Sequence, residues 1–361
     1  MARCTVKKIL KLLTSVISFV LIVAVVYVCY VFFSYSRIED NKSLAVSGAG
    51  NAETLKRGKE YTVATRNLGF GAYTADFTFF MDGGKESWAR SAESVKNCIE
   101  NATKETVACD PDFILFQEVD TNSTRSYHID ERQMITSALS EYSGVFAENY
   151  HSAFLMYPLT QPHGSSNSGM LTLSKYKISS ALRRSLPISE SFSKFLDLDR
   201  CYSVSRIPVE NGKELVLINV HLSAYGGSDE IRKAQMTMLF NEIKDDYEKG
   251  NYVVCGGDYN HDFTGTSTQK LNGGETVDFG WAQPFPDDLL PDCIVRADNY
   301  TDGKTEPTCR DCDIPYKEGN FTIIVDGFLV SKNVEITYLE NVQTGFAYSD
   351  HNPVVMKFLL K

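Results

Sequence analysis

Several short polar clusters, each adjoining an apolar run, carry the residue types that acid–base and metal chemistry use. Gln117 and Glu118 follow Phe113-Ile114-Leu115-Phe116. A carboxylate at the end of a buried run needs compensation, from a base or from a hard cation. His221 closes the run 215–220, and Asn67 follows 61–65, where an amide also suits a plain turn. Gly256-Gly257-Asp258-Tyr259-Asn260 follows 252–255. Its glycines free the backbone to approach a ligand, and residues two apart on an extended chain point to one side. Asp258 thus offers a base or water-orienting group beside the Asn260 amide. Asp326 follows 321–325, and Ser349-Asp350-His351-Asn352-Pro353 precedes the last apolar run. Adjacent side chains project differently, so Asp350 suits a metal or water and His351 a phosphate or proton.

The runs that must position these residues are short, apolar or β-branched, and bounded by turn residues. They predict strands at 61–65, 113–116, 170–173, 202–207, 215–221, 252–255, 321–325, 334–339 and 354–359. Two helices are expected. Trp88, Ala92, Val95 and Ile99 recur at helical spacing in the first. The second has Ser228 as N-cap, an apolar stripe from Ile231 to Ile243, and Gly250 as a stop. Many strands with few helices indicate a layered α/β protein. Residues 34–57, polar and small, read as a linker, and 58–361 as one catalytic domain.

These stations, in this order, resemble the endonuclease/exonuclease/phosphatase superfamily over about residues 60–361. The Gln-Glu pair, Gly-Asp-x-Asn and the terminal Ser-Asp-His are all present unaltered. The resemblance implies a four-layer α/β sandwich, two packed β-sheets flanked by helices. It implies a Mg²⁺-dependent phosphodiesterase or phosphatase, with Mn²⁺ as an alternative ion. Matched residue by residue, Glu118 is the metal ligand, with Asn67 and Asp350 near the ion. Asp258 orients or deprotonates the attacking water, Asn260 contacts phosphate, and His351 stabilises pentacovalent phosphorus with Asp326 orienting it. Asn219-Val220-His221-Leu222 is similar to the deoxyribonuclease I and neutral sphingomyelinase branches, which makes His221 a second imidazole near the leaving group. Asn167 is an implied phosphate contact, and Arg200 is a candidate for another. Arg206 is a further candidate, with a salt bridge expected for at least one of the two arginines. The segment 262–320 departs from the family pattern, where loops usually choose the substrate.

The chain is 43% hydrophobic and 23% charged, enough for a sizeable core. Its first 37 residues carry five bases and no acid, leaving 31 bases against 46 acids beyond them. So acidic a domain lacks the broad basic footprint of a nucleic-acid binder, which favours a lipid headgroup or small phosphoester over DNA. Residues 12–33 are uncharged and apolar, and a helix of that length is about 33 Å long, enough to span a bilayer. The excess of bases before it places residues 1–11 in the cytoplasm and the domain outside the cell or in a lumen. A cleaved signal peptide, giving a secreted domain, is the alternative. Outside the cytosol disulfides are permitted. Cys98–Cys109 and a pair among Cys293, Cys309 and Cys312 are the expected bridges, with Cys309 and Cys312 alternatively half a zinc site. Asn101, Asn122, Asn299 and Asn320 open glycosylation triplets. The competing functions are an extracellular nuclease and a catalytically inactive binding module. A serine hydrolase lacks its Gly-x-Ser-x-Gly elbow.

Overall fold

The computed structural model describes residues 2–195, 198–224, 228–274, 282–317 and 319–361. Two seven-stranded sheets form its centre. In the first half of the chain their strands are β1 (Lys42–Ser43), β2 (Val46–Ser47), β3 (Glu60–Asn67), β4 (Phe113–Asp120), β5 (Ser143–His151), β6 (Asn167–Ser174) and β7 (Ser180–Ser185). The second half adds β8 (Cys201–Pro208), β9 (Glu214–His221), β10 (Tyr252–Asp258), β11 (Ile294–Arg296), β12 (Asp326–Ser331), β13 (Val334–Asn341) and β14 (Val354–Leu360). One sheet has the order β1-β7-β8-β9-β10-β12-β11, the other β13-β14-β3-β4-β6-β5-β2.

Only two neighbouring pairs in these sheets are parallel, β3 with β4 and β9 with β10. Both occupy sheet centres and are buried on both faces, which is why they read as continuous apolar runs. Alternation sorts their side chains into layers. Phe113 and Leu115 of β4 meet Leu215, Leu217 and Val254 between the sheets. Ile114 and Phe116 instead face α2 (Ala92–Val107) and α3 (Glu131–Ala138), through Val95, Ile99 and Ile135. On the far side Val216, Ile218 and Val253 pack on α4 (Asp229–Glu248), through Met236, Leu239 and Ile243. The expected four-layer α/β sandwich is therefore present.

Ser228 caps α4 by accepting from the Ile231 N–H, as its sequence signature implies. The first expected helix starts later than the Trp88 periodicity suggests, because Ser91 accepts from the Ser94 N–H and caps α2 there. The segment 34–57 is no free linker. β1 and β2 close one edge of each sheet, and Leu55 is fully buried. Short edge strands of this kind cover open ladders that tertiary context alone reveals. The 321–325 strand is displaced too: Asp326 begins β12 instead of following a long strand.

The disulfide expectations fail. Cys98, Cys109, Cys293, Cys309 and Cys312 are all free thiols. Cys98 lies inside α2 and Cys109 just beyond its end. Eleven residues of mostly helical chain span roughly 16 Å, far beyond the ~4.4–6.8 Å of a disulfide. Cys309 and Cys312 are buried and direct their sulfurs at the Arg310 carbonyl, at 3.5 and 3.7 Å. They do not form the expected pair, and among the described residues they join no group of three or more side chains that could hold a metal ion.

Preceding the sheets is α1 (Ala2–Ser34). Its residues Thr5–Ser34 are long and apolar enough to cross a membrane, and none of that window is buried against the domain.

Candidate active site

Parallel neighbours end at the same sheet edge, so the β3/β4 and β9/β10 pairs deliver their C-terminal residues to one place. In register, Asn67 lies opposite Gln117, and Asp258 opposite His221. β12 runs antiparallel to β10, which brings its first residue, Asp326, opposite Asp258. Gly257 permits this approach. Its φ is +148°, and a Cβ there would sit 2.0 Å from the Val220 carbonyl oxygen. The two sheets are tied together just beneath. Gln117 donates to the Asn219 side chain at 2.8 Å, and Asn219 donates to the Phe116 and Leu171 carbonyls. The glutamine of the Gln-Glu pair and the asparagine before His221 are thus positioning residues, roles that no spacing announces. Glu118 itself adopts a left-handed φ of 50° where the β4–β6 register slips, a bulge that turns its carboxylate out of the ladder.

The clustered side chains line a cavity of about 290 Å³ that includes Glu118, His221, Asp258, Asn260, Asp350 and His351. The ring nitrogen Nδ1 of His351 is 2.7 Å from Asp326 Oδ2 and donates to it. His351 Nε2 is 3.9 Å from Asp258, and His221 Nε2 is 3.6 Å from the same carboxylate and 3.9 Å from Glu118. The Asn260 N–H holds Asp258 Oδ1 at 2.9 Å, while its side chain donates to the Leu222 carbonyl. Asn67 donates to Glu118 at 3.2 Å and to Asp258 at 3.1 Å, and its own oxygen accepts from the Gly69 N–H. Its nitrogen therefore faces the carboxylates, where the sequence suggests an oxygen donor. Amide orientation follows the hydrogen-bond network, and a cation would favour the reverse.

Burial sets the ionisation of the group. It pushes the Asp258 carboxyl up, and the neighbouring Asp326 adds to the rise. Burial, with Glu118 nearby, also pushes Asp350 up to about 6. His221 is held well below its ordinary value by burial and by the charges of Arg200 and His351. Burial opposes a charge on His351 too, but Asp326 outweighs it and raises that imidazole well above the usual range. One neutral and one protonated imidazole thus face the same carboxylate, the separation of states that acid–base work requires.

Carboxylate charge is in surplus here, and Asp326 Oδ1 is buried without a hydrogen-bond partner. Ligand atoms of Asp258, Asp326 and His351 lie within 4.8 Å of one another and could hold a metal ion. His351 Nδ1 is already committed to Asp326 and Asp258 accepts from Asn260 and Asn67, so Asp326 Oδ1 and the carboxylates of Glu118 and Asp350 are the freer oxygen donors. An all-oxygen set of this kind fits a hard divalent cation.

Arg200 is buried beside the cavity, with Nη1 on the Leu222 carbonyl and Nε unpartnered. Arg206 is elsewhere. The β8–β9 register carries it away from His221, to ion pairs with Asp246 and Glu214. Asn167 does not line the cavity and donates to Glu148 at 3.2 Å. Its neighbour Ser168 faces the cavity instead, since adjacent strand residues point to opposite faces. Residues with no distinguishing sequence signal complete the wall. Asn149 turns an unpartnered, buried Nδ2 there. Arg125, paired with Asp120 at 2.8 Å, stacks 3.9 Å from the Phe70 ring centroid.

The endonuclease/exonuclease/phosphatase family model matches residues 67–351. This chain belongs to that family. Its members hydrolyse phosphoester bonds and generally depend on a divalent metal, and the chain is an enzyme of that class. Comparison with curated protein sequences finds no match. Among solved structures, a family member from Beutenbergia cavernae superposes with a TM-score of 0.58 at 17% identity, covering 84% of this chain and 72% of that one. ANGEL2, a 2',3'-cyclic phosphatase in complex with adenosine-2',3'-vanadate, gives 0.54 at 15% identity, covering 90% and 99%. The human Nocturnin catalytic domain with bound sulfate gives 0.51 at 17%, covering 88% and 98%. At such identities the likeness is one of fold.

Proposed function

We propose that this chain is a Mg²⁺-dependent phosphodiesterase or phosphatase that acts outside the cytosol, anchored by α1 with its N-terminus in the cytoplasm. The observation that carries the reading is the Asp326–His351 pair facing Asp258 across the cavity, with His221 3.6 Å from the same carboxylate. Glu118 and Asp350, with Asn67 beside them, would hold the ion. When bound, Mg²⁺ (or Mn²⁺) supplies Lewis-acid stabilisation of charge on the phosphoryl oxygens.

The side chains divide the remaining work. Asp258 orients the attacking water and takes its proton. His351, charged and fixed by Asp326, donates to a phosphoryl oxygen as negative charge builds there. His221 lies on the leaving-group side and steadies the departing oxygen. The unpartnered Arg200 Nε and Asn149 Nδ2 receive the other oxygens, and Asn260 closes that side of the pocket. The acidic domain and the adjoining bilayer favour a lipid headgroup or small phosphoester as substrate.

The test is hydrolysis of bis(p-nitrophenyl) phosphate by the full chain in detergent. The expected outcome is activity restored by Mg²⁺ after chelation and reduced about 10²–10⁴-fold by His351→Ala. Unchanged turnover in the chelated protein would overturn the reading.

A further inference from the structure

We infer that the hairpin 154–164 and the neighbouring turn at 192–195 form a second contact with the bilayer, seating the mouth of the cleft at the level of lipid headgroups. The inference rests on the reading of α1 as a membrane span. Lys11 fixes the inner end of that span, and about 20 helical residues cross the ~30 Å hydrocarbon. The outer boundary therefore falls close to Val31. The Tyr27 hydroxyl donates to the Phe154 carbonyl and accepts from the Met156 N–H, while the Tyr30 hydroxyl accepts from the Phe154 N–H. These bonds hold the hairpin beside helix residues that lie within roughly 6 Å of the boundary, on the membrane side. An aromatic contact repeats the arrangement at the turn, where Phe195 lies 5.4 Å from Phe32 and 5.0 Å from Tyr35.

The surface presented at that depth suits lipid. Residues 149–174 contain no Asp, Glu, Lys or Arg, although 23% of the chain is charged. Tyr157 is 71% exposed, Leu159 82% and Phe192 79%, with Phe154 and Met156 partly exposed alongside. Aromatic and aliphatic side chains clustered at a hairpin tip are costly in water and favourable in the headgroup–acyl boundary. The same hairpin builds the catalytic cavity. Leu155 and Gly164 exchange two backbone hydrogen bonds of 3.0 Å, and His163, one residue before that rung, lines the cleft. Leu198 lines both this cleft and a smaller hollow shared with Val31 and Ser34 of α1. The substrate class is then the phosphoester of a lipid in the membrane that α1 crosses.

The full chain is reconstituted in phosphatidylcholine/phosphatidylglycerol vesicles, with and without phosphatidylcholine brominated near the headgroup end of its acyl chains. Tyr157→Trp is expected to add fluorescence that brominated lipid quenches, above the background of the two native tryptophans. A second variant, Tyr157→Ser with Leu159→Ser, is expected to lower vesicle phospholipid hydrolysis at least tenfold while turnover of bis(p-nitrophenyl) phosphate stays unchanged. No quenching at position 157 in a chain that resists alkaline extraction overturns the docking surface alone, including the case where a second copy covers it. Release of the chain by alkaline carbonate overturns the span and the surface together. Quenching in a chain inert toward both substrates upholds the surface and overturns the hydrolase reading with its lipid substrate.

Discussion

Replacing Asp326 by Asn removes one charge and little volume from the centre of the cleft. In the native site His351 donates to Asp326 across 2.7 Å, and both side chains are buried. A hydrogen bond between charged partners in such surroundings contributes about 1.5–3 kcal/mol. Asn can still accept from the imidazole, but it offers no charge to hold the proton there. An opposing effect exists, because the Asp326 charge also raises the Asp258 carboxyl and its loss would keep that base ionised more easily. Burial is the larger cause of that rise, so most of it persists in the variant. At ~1.4 kcal/mol per factor of ten, the net expectation is a fall in kcat of about 10- to 150-fold. KM should change by less than about threefold, since the protonated imidazole matters most as charge develops. Steady-state hydrolysis of bis(p-nitrophenyl) phosphate at saturating Mg²⁺ reads both constants. A kcat within about threefold of the native value, or a loss confined to KM, would refute the role given to this pair.

Three further outcomes follow from the packing. Asp199 gathers Arg37 at 2.8 Å, Arg183 at 3.2 Å and the Ile38 N–H at 2.7 Å. Burial alone would raise its carboxyl, but His151 at 3.5 Å, the hydrogen bond from the Ile38 N–H and the two arginine charges hold it at about 2. A depressed carboxyl contributes stability above its unfolded value, ~3.9, that disappears as pH falls through the folded one. Asp199→Asn should therefore cost about 2 kcal/mol near neutrality and flatten the loss of stability between about pH 4 and pH 2, read by urea unfolding in detergent. Gly257→Ala should abolish folding, because its Cβ meets the Val220 carbonyl oxygen at 2.0 Å; folded, active protein would contradict the strand register. Asn219→Leu removes the 2.8 Å acceptor of the buried Gln117 amide and the donor to the Phe116 and Leu171 carbonyls, and should cost about 1–3 kcal/mol; native stability would contradict this link between the sheets.

The strands at the centre of each sheet were legible because both of their faces are buried, so hydrophobicity runs unbroken along them. The peripheral strands β5 and β7 were not, since polar residues such as Glu148, Asn149, Arg183 and Arg184 interrupt their runs. The disulfides failed because cysteine spacing says nothing about the direction of side chains on a helix. Asn167 was one residue from the wall of the cleft, and in a strand one residue is the other face. Arg200 and Arg206 look alike in sequence, yet the antiparallel register sends one toward His221 and the other to the far end of the strand.

The family, the sandwich, the apolar N-terminal helix and the polar stations at strand ends were legible in the chain alone, because each is written in local order and spacing. Which stations meet, and in what state, depends on the packing of distant segments. Asp326 reaches the site through the start of an antiparallel strand, and its charge keeps His351 protonated while burial keeps His221 neutral. Those effects depend on distance and desolvation across residues far apart in the chain. A linear order of residues contains neither.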